Sequence, residues 1–108
     1  MRSNKSSSTA RNRRREIVWT RQSRNDLRNI RSYIAAEAPR TADLFVGRLV
    51  ASVRRIGTAP HAGSIVMEWN DPTLREIYFG NYRIIYRISK RVEIITVFHG
   101  ARLLGDLE

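Results

Sequence analysis

With 108 residues, the chain is long enough for a single domain with one hydrophobic core. It contains no cysteine and two histidines. This excludes disulfides, thiolate metal sites and a cysteine nucleophile, and we expect no cofactor and no small-molecule substrate. No stretch approaches the roughly 18 consecutive apolar residues of a membrane span, and no apolar segment follows the basic N-terminus, so we expect a cytoplasmic protein with no membrane partner.

The net charge of +10 is distributed unevenly along the chain. Residues 1–15 hold six cations, no acid and almost no apolar side chain, so we predict a disordered basic arm in front of a single domain over residues 16–108. The arm is either a nucleic-acid contact or an extension without function. The domain itself holds 14 basic and 10 acidic residues, a balance that suits a polyanion or an acidic protein partner.

The first predicted elements are a short strand and two helices. Residues 16–20 are rich in the β-branched and aromatic side chains that strands prefer. Ser23 is a candidate N-cap for a helix that ends before Pro39, because the residue before a proline disfavours helical geometry. A second helix is predicted over residues 40–56 and closed by Gly57. Its apolar residues recur with helical spacing at Ala42, Phe45, Val46, Leu49, Val50, Val53 and Ile56.

The second half of the chain is predicted to form strands. A short strand over residues 65–69 follows a loop that contains Pro60 and Gly63. Three longer strands are predicted over residues 74–79, 82–88 and 92–98, with a hairpin turn at Gly80-Asn81 because both residue types tolerate positive φ. Helices and strands are segregated along the chain. We therefore predict an α+β fold of order β-α-α-β-β-β, in which a helical hairpin packs on one face of a mostly antiparallel sheet and the other face is free.

Cations recur within the three longer strands, although a hydrophobic core does not require them. A buried unpaired charge is costly, whereas a surface that binds phosphate or an acidic peptide needs cations. His99 is a candidate general acid or base, since histidine exchanges protons near neutral pH. The candidate residues for binding a nucleic acid or another target are Arg75, Arg83, Arg87 and Arg102.

Several short motifs follow one another between residues 17 and 104. They are Val18-Trp-Thr20, Asp26-Leu-x-x-Ile-x-x-Tyr-Ile34, Pro39-x-x-Ala-x-x-Phe45, Pro60-His-Ala-Gly63, Arg75-Glu76, Tyr82-Arg-Ile-Ile-Tyr86 and His99-x-x-Arg102. In this combination and order, the chain resembles the RelE/ParE superfamily of bacterial toxins. The resemblance implies the toxin of a type II toxin–antitoxin pair, neutralised by direct binding of a cognate acidic antitoxin.

The resemblance leaves two targets open, because RelE-like members cleave mRNA in the ribosome and ParE-like members block DNA gyrase. A RelE-like enzyme would need no metal. The resemblance implies that Arg83 and Arg102 would bind the scissile phosphate, while His99 would transfer protons as the catalytic acid or base.

This chain departs from the RNA-cleaving members where they place further catalytic groups. Residues 62–69 contain no lysine, and residues 103–108 contain neither tyrosine nor histidine. A missing proton-transfer group can cost roughly 10²–10⁴-fold in rate. We therefore favour a gyrase inhibitor that is not an enzyme over a ribosome-dependent mRNA endonuclease. A nucleic-acid-binding or degenerate, non-toxic module is the third hypothesis.

Each candidate side chain also has a structural interpretation. Arg83 can form an ion pair with Glu76 across the hairpin, or Glu76 can pair with its neighbour Arg75. His99 can be a packed or capping residue at the end of a strand. Arg87 can belong to a solvated, charged surface around the turn that follows it.

Overall fold

Residues 14–101 are described by a computed structural model of the protein. Two single-turn 3₁₀ helices, Arg55–Gly57 and Pro60–Ala62, connect the helical part to the strands. The α+β class is confirmed. The sheet has five strands, which is the number of strand segments predicted and one more than the order β-α-α-β-β-β counts. The elements are β1 (Ile17–Trp19), α1 (Arg21–Ala35), α2 (Pro39–Arg54), β2 (Ser64–Ile65), β3 (Leu74–Phe79), β4 (Tyr82–Ile88) and β5 (Val92–His99).

The five strands form one sheet in the order β1-β5-β4-β3-β2. Strand β1 runs parallel to β5, and the other pairs are antiparallel, as predicted for a mostly antiparallel sheet. The predicted turn joins β3 to β4. Among the described residues, Gly80 is the one with a positive φ, at 58°, so the turn uses the left-handed region at Gly80 and not at Asn81.

Helix α1 begins at Arg21 because Thr20, and not the predicted Ser23, is its N-cap. The Thr20 hydroxyl accepts a hydrogen bond from the Ser23 backbone N–H at 3.2 Å and lies 2.7 Å from the Ile94 carbonyl oxygen, to which it donates. Both residue types are suitable caps. Thr20 takes the role because its hydroxyl also ties the start of the helix to β5, a contact that local sequence does not reveal.

Helix α2 begins at Pro39, where a missing N–H costs nothing, and its last turn continues as the 3₁₀ helix over Arg55–Gly57. Gly57 ends the helical segment as predicted, but not through a left-handed conformation. Its carbonyl oxygen accepts a hydrogen bond from the Arg15 backbone N–H at 2.8 Å, and a Cβ on Gly57 would lie 2.9 Å from the Arg15 carbonyl oxygen. Close approach of another chain segment therefore explains the glycine. Arg15 belongs to the predicted basic arm, of which residues 1–13 lie outside the described part of the chain.

The predicted strand over residues 65–69 is too long. Only Ser64 and Ile65 pair with β3, opposite Glu76 and Arg75. From Val66 onward the chain crosses the face of the sheet that is remote from the helices. Val66 is fully buried there, in a small core whose other members are Leu74, Ile85 and Phe98, with Trp69 and Ile95 at its edge. The expectation that this second face is free is therefore wrong for its centre.

The helical hairpin covers the first face of the sheet, as predicted. Residues 36–38 join α1 to α2. None of the helices in residues 14–101 is long and apolar enough to cross a membrane. The main hydrophobic core lies between the hairpin and the sheet, and its buried members are Ile30, Leu49, Val53, Ile56, Ile84, Tyr86, Val92, Ile94 and Val97.

Asp26 joins α1 to β5 at the point where β1 ends. Its Oδ2 atom accepts hydrogen bonds from the Thr96 hydroxyl at 2.6 Å and from the Val97 backbone N–H at 2.9 Å. Beyond Ile94, strand β5 has no β1 residue opposite it. The carboxylate of α1 thus takes the place of a strand at this edge and leaves a groove between the helix and the end of β5.

Candidate functional site

Arg83 lies at the centre of β4 and holds two carboxylates. Its guanidinium donates two hydrogen bonds to the Glu68 carboxylate, at 2.8 and 3.1 Å. Its Nε donates to Glu76 at 2.8 Å, and its Nη2 contacts the same Glu76 oxygen. Arg83 is only 5% exposed, and its guanidinium carbon lies 5.4 Å from the centre of the Phe98 ring. We call Arg83, Glu68, Glu76 and Phe98 the Arg83 cluster.

The sheet register and the crossing segment bring these four residues together. Glu76 lies opposite Ile85, two residues from Arg83, so its side chain is a diagonal neighbour on the same face. Phe98 lies directly opposite Arg83 on β5. Glu68 arrives from the segment that Val66 anchors to this face. The structural interpretation of Arg83 as a partner of Glu76 is thus observed, and the alternative pair of Glu76 with Arg75 is not.

The charges in the Arg83 cluster are coupled. The hydrogen bonds from Arg83 lower the pKa of Glu68, and the hydrogen bond to Glu68 is the main cause that raises the pKa of Arg83. Two carboxylates surround one guanidinium, which leaves one formal negative charge in excess. In this arrangement the guanidinium is already bound on its donor edges, and its surroundings do not attract a phosphate.

The other predicted arginines do not join this cluster. Arg75 lies opposite Tyr86, which belongs to the helix-side core, and its guanidinium donates to the Gly63 carbonyl oxygen at 3.1 Å. Arg87 shares the face of Arg83 but binds Asp71 at 3.1 Å and the Thr73 hydroxyl at 3.0 Å. Arg102 lies outside the described residues. The sheet therefore separates Arg75 from the cations on the second face.

His99 lies on the helix side of the sheet. It is opposite Tyr82 on β4, and the two rings meet edge-on with their centres 5.6 Å apart. Its Nδ1 accepts a hydrogen bond from the Ala101 backbone N–H at 3.2 Å, so the ring caps the end of β5. The side chain is exposed. Because Arg83 and Tyr82 are adjacent in one strand, Arg83 and His99 point to opposite faces of the sheet.

His99 lines an open groove of about 340 Å³ between α1 and the edge of β5. We call it the β5 groove. Tyr33 stands at its rim and is 80% exposed. The groove is lined by Asp26, Asn29, Ile30, Tyr33, Tyr82, Val97, Phe98 and His99.

Two features of the candidate site are not predicted from the sequence. No local pattern shows that Glu68 is the bidentate partner of Arg83, which lies 15 residues away. Tyr33 and Asp26 were read as parts of a helix motif, and no local signal shows that they line a groove with β5. Within residues 14–101, no group of three or more histidine, aspartate or glutamate side chains is placed to hold a metal ion.

Comparisons with known proteins show the family to which the chain belongs. A family model described as "ParE toxin of type II toxin-antitoxin system, parDE" matches residues 17–104. A Sinorhizobium fredii protein named "Putative toxin Y4kP" is 33% identical over 88 residues, which are 80% of this chain and 88% of that protein.

Two solved structures have similar folds, each with 19% sequence identity. The chromosomal ParDE system from P. aeruginosa gives a TM-score of 0.67 over 81% of this chain and 97% of that chain. The toxin–antitoxin complex RelBE2 from Mycobacterium tuberculosis gives 0.56 over 80% of this chain and 98% of that chain. Because the family model covers residues 17–104 and the Sinorhizobium fredii relative is 33% identical over 80% of the chain, the chain belongs to the ParE toxin family of type II toxin–antitoxin systems.

Proposed function

We propose that this toxin inhibits growth by binding DNA gyrase as a protein ligand, and that it does not cleave RNA. The observation that carries the proposal is the separation of Arg83 from His99. Arg83 is buried against two carboxylates on one face of the sheet, and His99 caps β5 on the other face. The ParE family match is consistent with a gyrase target.

The chemistry of RNA cleavage supports this choice. Without a metal, cleavage requires a base for the attacking 2′-oxygen, an acid for the leaving oxygen and a cation at the phosphate, all within hydrogen-bond reach of one substrate. A phosphate bound at His99 would be on the wrong side of the sheet for Arg83. A phosphate bound at Arg83 would first have to displace Glu68 or Glu76.

A ribosome-dependent mRNA endonuclease is the alternative, and one observation favours it. His99 is exposed beside Tyr82, and a histidine next to a tyrosine can transfer protons to a bound nucleotide. In that case catalysis would lie in the β5 groove and Arg83 would be structural. A nucleic-acid-binding or non-toxic module is the third outcome.

Brief induced expression of the toxin without its antitoxin distinguishes the three. We expect filamentation and a DNA-damage response with intact mRNA, and inhibition of purified gyrase in a supercoiling assay. The His99→Ala variant should retain this toxicity, since no proton transfer is involved. Rapid translation arrest with cuts at ribosomal A-site codons, abolished in His99→Ala, would establish the endonuclease instead. Absence of any growth effect would contradict both toxic mechanisms and leave the third hypothesis.

The antitoxin partner is proposed to bind in the β5 groove. The solved structures with a similar fold are a toxin–antitoxin system and a toxin–antitoxin complex. The groove combines an apolar floor, an exposed tyrosine and a strand edge beyond the end of β1, which suits an incoming segment that folds as a helix or an added strand. Helix α1, which forms one wall, carries one carboxylate, Asp26, and four arginines at positions 21, 24, 28 and 31. These arginines do not line the groove itself, so an acidic segment would meet them where it extends along α1.

The Tyr33→Asp variant tests this docking site. A negative charge at the exposed rim should remove co-purification of the toxin with the product of the neighbouring small gene, because an aromatic anchor is lost and an acidic segment is repelled. Tyr78→Asp is the matched control, since Tyr78 is also an exposed tyrosine, at 57%, but lies on β3. Equal loss in both variants, or retention of the complex with Tyr33→Asp, would contradict the site.

A further inference from the structure

Three chain segments meet at the end of the molecule opposite the β3–β4 turn. The Arg15 backbone N–H donates to Gly57 at 2.8 Å, and the Arg15 guanidinium donates to the Ser89 carbonyl oxygen at 2.5 Å. The segment that enters β1 thus contacts both the end of the helical part and the turn between β4 and β5. We call the cations of these segments the basic end: Arg14, Arg15, Arg54, Arg55, Lys90 and Arg91.

The fold leaves five of these six cations exposed, whereas Arg15 is half-buried and is bound to Ser89. A tight turn, in which the backbone N–H and the hydroxyl of Ser89 both donate to the Arg91 carbonyl oxygen at 2.8 Å, leaves Lys90 and Arg91 exposed. Arg54 and Arg55 are exposed at the end of α2. Within residues 14–101, the one carboxylate in a salt bridge with the basic end is Glu16, 3.6 Å from Arg91, and both side chains of that pair are more than 60% exposed.

Most of the net charge of the described residues belongs to the basic end. Residues 14–101 hold 15 cations and eight carboxylates, a net charge of +7. The six cations of the basic end and Glu16 account for +5 of this charge, and the other nine cations and seven carboxylates account for +2. The positive charge is thus localised, which is the electrostatic pattern of a polyanion-binding surface.

We propose that the basic end binds the sugar–phosphate backbone of nucleic acid without sequence preference. Five of its six cations are arginines, which bind phosphate through two parallel hydrogen bonds. The large exposed apolar side chains of the described residues lie elsewhere: Tyr33, Leu44, Ile65, Met67 and Tyr78. Without an aromatic or aliphatic anchor, the surface lacks what a stable protein interface needs at its centre. It also lacks the apolar face with which a peripheral protein enters a membrane. Phosphate contacts alone suffice for non-specific binding of nucleic acid.

The test measures binding of the full-length toxin to a random-sequence DNA duplex by fluorescence anisotropy over a series of salt concentrations. Each phosphate contact contributes roughly 0.9 to the slope of log K against log salt concentration. The double variant Arg54→Gln/Arg55→Gln should therefore reduce the magnitude of the slope by about two. Lys90→Gln/Arg91→Gln should do the same from the neighbouring turn, and serves as a second variant because Arg54 also stabilises the end of α2.

The matched control is Arg40→Gln/Arg48→Gln, which removes the same charge from exposed positions earlier in α2 and should leave the slope unchanged. Equal slopes for the control and both basic-end variants would overturn the proposal. So would binding to phosphatidylserine vesicles without binding to DNA, which would assign the surface to a membrane. Neither gyrase nor cells are used, so this proposal and the proposed toxic mechanism can fail independently.

Discussion

Replacing Arg83 with methionine is expected to lower the free energy of unfolding by about 3 kcal/mol or more, the range found when one partner of a buried ion pair is removed. The side chain of Arg83 is 6% exposed, and that of Glu76 is 14% exposed. Without the guanidinium, Glu76 would remain as a buried carboxylate with no cation, while Glu68, 36% exposed, could turn toward water. Urea denaturation followed by circular dichroism measures the loss.

Two further variants show whether burial and pairing cause this effect. Arg87→Met removes another arginine–carboxylate pair from the same strand, but its side chains are 41% and 37% exposed, so we expect a loss of at most about 1 kcal/mol. Adding Glu68→Gln and Glu76→Gln to Arg83→Met should recover most of the lost stability, because no buried charge then remains. Similar losses for Arg83→Met and Arg87→Met would contradict the structural role of Arg83.

The same triple variant separates a structural Arg83 from a phosphate-binding one. Once stability is recovered, a toxin that acts by binding gyrase through another surface should still arrest growth. An endonuclease that uses Arg83 at the scissile phosphate should be inactive, since no cation remains in the Arg83 cluster.

Gly63→Ala is expected to lower the free energy of unfolding by about 1–3 kcal/mol, the usual cost of overpacking a buried site. We expect a value near the upper end of this range. Gly63 is buried where the loop before β2 meets the sheet. A Cβ there would clash with the Tyr86 hydroxyl and would lie 2.7 Å from the Glu76 carbonyl oxygen. The hydroxyl cannot easily move, because it accepts a hydrogen bond from the Gly63 N–H at 3.1 Å and donates one to Pro60 at 2.6 Å. Its burial also raises the pKa of Tyr86.

The identical substitution in α2 provides the control. Gly47 is exposed in the middle of the helix, and apart from its neighbours and the backbone of the helix no atom lies within 4 Å of a Cβ built on it. Gly47→Ala should therefore stabilise the protein by about 0.5–1 kcal/mol, because alanine loses less conformational entropy in a helix. Opposite signs for the two glycine variants, in the same urea titration, are the expected result. A neutral Gly63→Ala would mean that the loop can move away from Tyr86.

Local sequence patterns predicted most of the helices and strands. The bounds of β3, β4 and β5 follow from runs of β-branched and aromatic residues interrupted at Gly80-Asn81 and Ser89–Arg91, and α2 follows from its apolar spacing. Residues 66–69 were misassigned because their apolar side chains face a core, but as a crossing segment and not as a strand. Apolar content alone does not distinguish these two cases.

The arrangement of the site depends on contacts between residues that are distant in the sequence, and local sequence patterns do not predict such contacts. The sequence shows which side chains of one strand point to the same face of the sheet. Whether Arg83 on β4 and His99 on β5 share a face can be decided only when the β4–β5 register is known. That register includes an irregularity between Ile85 and Tyr86, which shifts the pairing by one residue. Likewise, Glu68 reaches Arg83 only because Val66 fixes the crossing segment. The sequence therefore indicated the candidate residues but not which of them lie together in the fold.

The pairing of the first strand with the last has a consequence for synthesis. Trp19 is aligned with Ile94, so the edge of the sheet formed by β1 cannot be completed until β5 has left the ribosome. Such contacts between residues distant in sequence slow folding relative to a helical domain of similar length. A newly made copy therefore remains an incomplete fold until β5 has been released.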